Sequence, residues 1–131
     1  MAIIEIEKLT KEFNGIKAVD ELTLSIIKGS ICGFLGPNGA GKTTTIMMLL
    51  GFIFPTSGKA RILGESIHGK GNYLKRIGFL PDVPTFYNWM TAREYLIFVG
   101  ELFKIETGKL KLKIEELLEL VGLKPEKKRI D

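Results

Sequence analysis

The chain opens on a strict alternation. Over Ala2–Leu9, Ile4 and Ile6 point to one side and Glu5 and Glu7 to the other, which predicts a strand with one wet face. Asn14-Gly15 is a turn signal. Leu22, Leu24 and Ile26 then alternate with Thr23 and Ser25, predicting a second half-buried strand that ends at Lys28-Gly29. Ser30–Leu35 differs, because Ile31, Cys32, Phe34 and Leu35 form a nearly unbroken apolar run. Such a run suits a strand covered on both faces, as in a parallel sheet. After a glycine-rich loop at Gly36–Gly41, residues Lys42–Leu50 predict a helix that Gly51 is placed to end.

The remaining pattern is strand, turn and helix. Pro55–Gly58 predicts a turn, and Lys59–Leu63 and Ile77–Leu80 predict short strands. Thr91 followed by Glu94 is a capping box, and the apolar residues from Tyr95 to Phe103 recur at helical spacing behind it. A last amphipathic helix carries a stripe of Leu110, Ile114, Leu117, Leu118 and Val121, with Glu115, Glu116 and Glu119 outside it. Gly122 ends it and Pro125 blocks its continuation. Strands first, a strand–loop–helix unit in the middle and helices last make a mixed α/β chain.

Composition narrows this picture modestly. The 131 residues fit one domain, and 45% hydrophobic with 26% charged residues is ordinary for a globular protein. The formal charge of +4 is concentrated late, in Lys109–Lys113 and Lys124–Arg129. Solvated helix faces account for it without nucleic acid. Cys32 is the single cysteine, so no internal disulfide is possible. No signal-peptide pattern opens the chain, and Ile46–Phe54, broken by Gly51, falls short of the roughly 20 residues of a membrane span. A cytoplasmic location is expected, with any membrane role supplied by a partner. Cys32, Met47, Met48 and His68 are read as structural, with Cys32 in a buried strand and both methionines packing inward.

The chemistry lies in Gly36-Pro37-Asn38-Gly39-Ala40-Gly41-Lys42-Thr43, a full match to G-x-x-x-x-G-K-[ST] between a predicted strand and a predicted helix. Glycines permit positive φ, so backbone N–H groups can converge on an anion. The helix start adds the positive end of its dipole. Lys42 is the expected catalytic cation for the β- and γ-phosphates, and the Thr43 hydroxyl is a hard oxygen ligand for Mg²⁺. Thr44 offers a further hydroxyl and amide. The loop by itself specifies a nucleoside triphosphate with magnesium.

The surroundings specify more. Gly36–Thr45, its continuation through Pro55-Thr56-Ser57-Gly58 to Gly64, the upstream Leu9–Phe13 and Ala18–Gly29, and the downstream Ile77–Asp82 and Tyr87–Glu94 resemble the ABC ATPases. The likeness covers essentially the whole chain and is nearest to the branch that energises drug, lipid or polysaccharide exporters. It implies a P-loop NTPase of ABC type. The expected parts are an antiparallel β subdomain, a partial parallel-sheet core and the start of a helical subdomain. The expected organisation is a single incomplete domain, with residues 1–90 carrying the β subdomain and loop and 91–131 the helical part. ATP and Mg²⁺ are the implied ligands. The implied partners are a membrane-spanning permease and a second ATP-binding domain in a head-to-tail dimer, with no nucleic acid. The subunit would then lie on the inner face of the cell membrane.

Carried over by residue, Phe13 stands where the family places an adenine-stacking aromatic, the alternative being a strand-end core residue. Asp82 replaces the usual Q-loop glutamine; it suits a hard cation or serves as a surface acid ending a strand. Within these residues no signature segment, no Walker B carboxylate and no switch histidine is found. ATP hydrolysis is therefore expected of a complete protein, with weak Mg-ATP binding and poor turnover from this piece alone. Without flanking strands, Ser30–Leu35 is expected to expose an edge and to drive self-association. The alternatives are a non-transport ABC ATPase of translation or DNA repair, and a nucleotide-binding fragment without turnover.

Overall fold

The computed structural model describes residues 1–69 and 71–123; Pro125 and the basic run Lys124–Arg129 lie outside them. Two compact units form, Met1–Phe79 and Leu80 onward. Phe86 packs edge-on against Tyr95 and Tyr87 against Phe98, tying the segment before Thr91 to the helices of the second unit.

The first unit is built on an antiparallel sheet. Strands β1 (Ala2–Phe13) and β2 (Ile16–Ile27) form a hairpin; helix α1 (Lys42–Leu49) follows, then β3 (Ser57–Ile62) and β4 (Glu65–Ser66). The sheet order is β2-β1-β3-β4. Asn14 and Gly15 both take positive φ, 49° and 82°, which lets a two-residue turn match the strand twist. Both long strands exceed their predicted lengths because they change parity midway. Ile6 pairs with Leu24 but Leu9 with Leu22, and Leu9 is followed by the pair Lys11–Val19. The extra residues are Lys8 and Glu21, each at positive φ. Each bulge turns the next apolar residue back inward, so Ile6 and Leu9 are both buried. Two threonines service the displaced backbone. Thr10 Oγ1 accepts from the Glu21 amide at 3.0 Å and Thr23 Oγ1 from the Lys8 amide at 3.0 Å.

The core gathers Ile6, Leu9, Val19, Met48, Ile62 and Tyr73. Tyr73 lies on a 3-10 turn (Asn72–Arg76), and its hydroxyl donates to the Leu49 carbonyl at 3.1 Å, anchoring the end of α1. Met48 is buried as expected, whereas Met47 is half-buried.

The strands expected at Ser30–Leu35 and Ile77–Leu80 do not form among the described residues, and no parallel pair is made. Apolar content makes a segment fit for a buried strand, but a strand requires a neighbour to take its backbone hydrogen bonds. Neither segment has one here. Ile31 is 104% and Leu35 91% exposed, and Cys32 is exposed rather than buried. The purified 131-residue chain should therefore elute larger than a monomer in size-exclusion chromatography. Ile31→Asp with Leu35→Asp should shift it toward the monomer; a wild-type monomer at high concentration would contradict this.

The second unit pairs helix α2 (Ala92–Leu102) with α3 (Thr107–Leu120). The capping box forms as predicted, with the Thr91 hydroxyl accepting from the Glu94 amide and the Glu94 carboxylate accepting from the Thr91 amide at 2.8 Å. The buried stripe is narrower than expected. Leu110, Ile114 and Leu118 pack on Ala92 and Leu96, while Leu117 and Val121 face solvent. Gly100 permits this approach, since a Cβ there would lie 2.2 Å from Leu110 Cδ1.

Glu115, expected only as a surface residue, forms a two-pronged ion pair with Arg93 of α2, one prong at 2.9 Å. Hydrogen bonds from Arg93, opposed by partial desolvation, hold its carboxyl below the ordinary value of 4.5. The folded form is therefore favoured by this pair above that value, and the contribution fades as pH falls through the lowered pKa. Carboxyl NMR should show Glu115 titrating below the ordinary glutamate value, and Arg93→Gln should return it to the ordinary range.

Candidate functional site

The loop between Gly36 and Lys42 carries the built feature of the first unit. Gly39 and Gly41 sit at φ 84° and 82°, a region costly to residues with a Cβ. At Gly41 the absence of a side chain is also steric: a Cβ would lie 2.2 Å from the Ala18 carbonyl oxygen and 2.9 Å from Val19 Cγ2. The hairpin strand β2 thus sets where α1 begins. The Ala40 amide donates to the Pro37 carbonyl at 3.2 Å, closing a tight turn over Asn38 and Gly39.

Lys42 folds back over this turn. Its Nζ donates to the carbonyls of Gly36 and Pro37, both at 2.7 Å. An ammonium has three donors, so one remains for an anion. The lysine also bridges the two ends of the loop. The first-turn amides of α1 have no partner within the helix. The positive end of the helix dipole lies at the same end of α1.

The three consecutive threonines separate by environment. Thr43 is exposed and Thr44 half-buried, so both hydroxyls stay accessible at the helix start. Thr45 is buried, and its hydroxyl donates to the Gly41 carbonyl at 2.9 Å. It acts as a brace for the loop, a role the sequence pattern did not single out. A hydroxyl three residues into an apolar helix, four after a loop glycine, is the signal that was available. First-turn amides, a spare ammonium donor and the hydroxyls of Thr43 and Thr44 are the kinds of group a magnesium-bearing polyphosphate requires.

The other predicted residues lie apart from this turn in sequence. Phe13 closes the β1–β2 hairpin opposite Ile16 and is 45% exposed. It is not among the buried core residues. Asp82 occupies an exposed bend in the second unit. His68 is exposed, and no cluster of three or more metal-ligating His, Cys, Asp or Glu side chains occurs among the described residues.

A family profile described as "ABC transporter" matches residues 19–131. The chain belongs to the ABC transporter family. It is 47% identical over 129 residues to the bacitracin transport ATP-binding protein BcrA of Bacillus licheniformis, covering 98% of this chain and 41% of that protein. It is 34% identical to a probable multidrug ABC transporter ATP-binding protein of Escherichia coli, covering 93% of this chain and 21% of that protein. Among solved structures it resembles an ATP-binding cassette of an ABC transporter, with TM-score 0.76, 27% identity, and coverage of 94% of this chain and 55% of the other. The chain thus spans about two fifths of the first of these relatives and about half of the solved cassette. Its family and fold agree with the ABC-type P-loop class expected from the sequence. Among the described residues no helix is long and apolar enough to cross a membrane.

Proposed function

We propose that this chain is the ATP-binding part of an ABC transporter subunit that couples ATP binding and hydrolysis to export. The observation that carries the reading is Lys42, held at 2.7 Å by two loop carbonyls with one donor spare, beside glycines at positive φ and the start of α1. In this reading the loop Gly36–Gly41, through the amides of Asn38 and Gly39, and the first turn of α1 at Lys42–Thr44 line the triphosphate, with Pro37 and Ala40 shaping the turn. Lys42 neutralises the β- and γ-phosphates, and Thr43 contributes its hydroxyl to the metal. Magnesium, when bound, spreads the charge of the transferring phosphoryl group. Phe13 stacks on the adenine from the hairpin tip.

The export direction is supported by the named activities of two relatives, bacitracin transport and multidrug transport. A permease is the proposed partner. Its contact is assigned to Asp82–Thr91, where Trp89 is exposed and stacks at 4.9 Å on Tyr87. That contact would hold the subunit at the inner membrane face, with a second ATP-binding domain completing the closed dimer. Turnover, which needs an oriented water, is assigned to the complete protein.

Calorimetric titration with Mg-ATP, read together with hydrogen exchange, tests the assignment. Heat of binding and slowed exchange confined to Gly36–Thr44 are expected. No heat and no protection would overturn it.

A further inference from the structure

Lys11 is a residue to which the site described above gives no role. It lies two positions before Phe13 on β1, and the period-two alternation of a strand places both side chains on one face. Its ammonium stands 4.8 Å from the centroid of the Phe13 ring. Among the described residues it forms no ion pair, in contrast to nearby Lys17, which is engaged by Asp20 at 2.7 Å. Phe13 nevertheless keeps 45% of its surface open. The ring is thus fixed by the hairpin turn behind it and capped on one side by a cation.

We infer that Lys11 is a positioning residue for the nucleotide base: it covers one face of Phe13 so that a purine stacks on the other. The inference rests on the stacking role proposed for Phe13. Two physical effects favour it. A cation over one face restrains the ring's rotamers, so less freedom is lost when the base arrives. It also draws electron density toward itself, leaving the far face better matched to an electron-rich purine. An ammonium spent on the ring contributes to recognition of the base and not of the phosphates, which separates Lys11 from Lys42 in kind.

The test compares Mg-ATP with magnesium tripolyphosphate, which lacks the base, by calorimetry. Lys11→Met keeps the aliphatic stem and removes the charge. It should weaken ATP binding about two- to fivefold and leave tripolyphosphate unchanged. Lys11→Arg, which retains a cation able to lie over an aromatic face, should restore ATP affinity. In a Phe13→Ala background, Lys11→Met should have no further effect. Equal weakening toward both ligands, or an effect that persists without Phe13, would overturn the inference and make Lys11 a phosphate-facing charge. An unchanged ATP affinity in Lys11→Met, with Phe13→Ala still weakened, would overturn it while leaving the stacking role intact. Unchanged ATP affinity in Phe13→Ala would remove the stacking role itself.

Discussion

Lys42→Ala should weaken Mg-ATP binding by about ten- to a hundredfold while leaving the sheet intact. The size follows from what the side chain does twice. A hydrogen bond from a charged donor is worth roughly 1.5–3 kcal/mol, and the spare donor of Lys42 is the one aimed at an anion. The two donors already spent hold the Gly36 and Pro37 carbonyls at 2.7 Å. Removing them frees the turn that Ala40 closes, so part of the loss is loop order and not charge. Lys42→Arg separates these parts. A guanidinium keeps the charge, but its planar fork cannot reproduce the two carbonyl contacts of a compact ammonium. Its affinity should fall between wild type and Lys42→Ala. Circular dichroism checks the fold, and Thr43→Ala should reduce the magnesium dependence without the same loss for metal-free nucleotide. An unchanged dissociation constant in Lys42→Ala would remove the phosphate loop as the binding site.

The loop and the hairpin were legible in the sequence because each is specified locally. Asn14-Gly15 needs only its own two positive φ angles, and Gly36–Thr43 carries its glycines, lysine and hydroxyl in one stretch. The capping box at Thr91 was legible for the same reason. Features that depend on distant neighbours were misread. Ile31, Phe34 and Leu35 announce burial, but no residue in that stretch can supply the strand that would bury them. The bulges at Lys8 and Glu21 were invisible because alternation hides a parity change whenever an apolar residue follows on the wrong beat. The Arg93–Glu115 pair joins two helices through residues 22 positions apart, a separation that helical spacing does not address. Thr45, next to the two accessible hydroxyls, was passed over because a brace and a ligand are the same residue type until burial tells them apart.

Gly58→Ala should destabilise the first unit by about 2–5 kcal/mol, the largest stability effect of any single methyl addition to this sheet. Gly58 is the second residue of β3, at φ 85°, directly against the Lys8 bulge of β1. A Cβ there would lie 2.1 Å from the Lys8 carbonyl oxygen and 2.6 Å from Leu9 Cα. Both obstacles are backbone, so no rotamer change can relieve them. Positive φ alone costs an alanine roughly 1–2 kcal/mol. Overpacking adds about 1–3 kcal/mol, because β3 must move off a strand whose Leu9 is fully buried. Gly64→Ala is the control. Its φ is 79° but nothing lies within 4 Å of the added carbon, so it carries the torsional cost without the collision. Hydrogen exchange of the β1 amides reads the difference in the unit concerned. Faster exchange in Gly58→Ala than in Gly64→Ala, across Ile6 to Thr10, is the expected result. Equal effects would mean that the β1–β3 contact yields freely. The bulge at Lys8 would then be an accident of the strand and not the feature that sets the register between the hairpin and the strand beyond it.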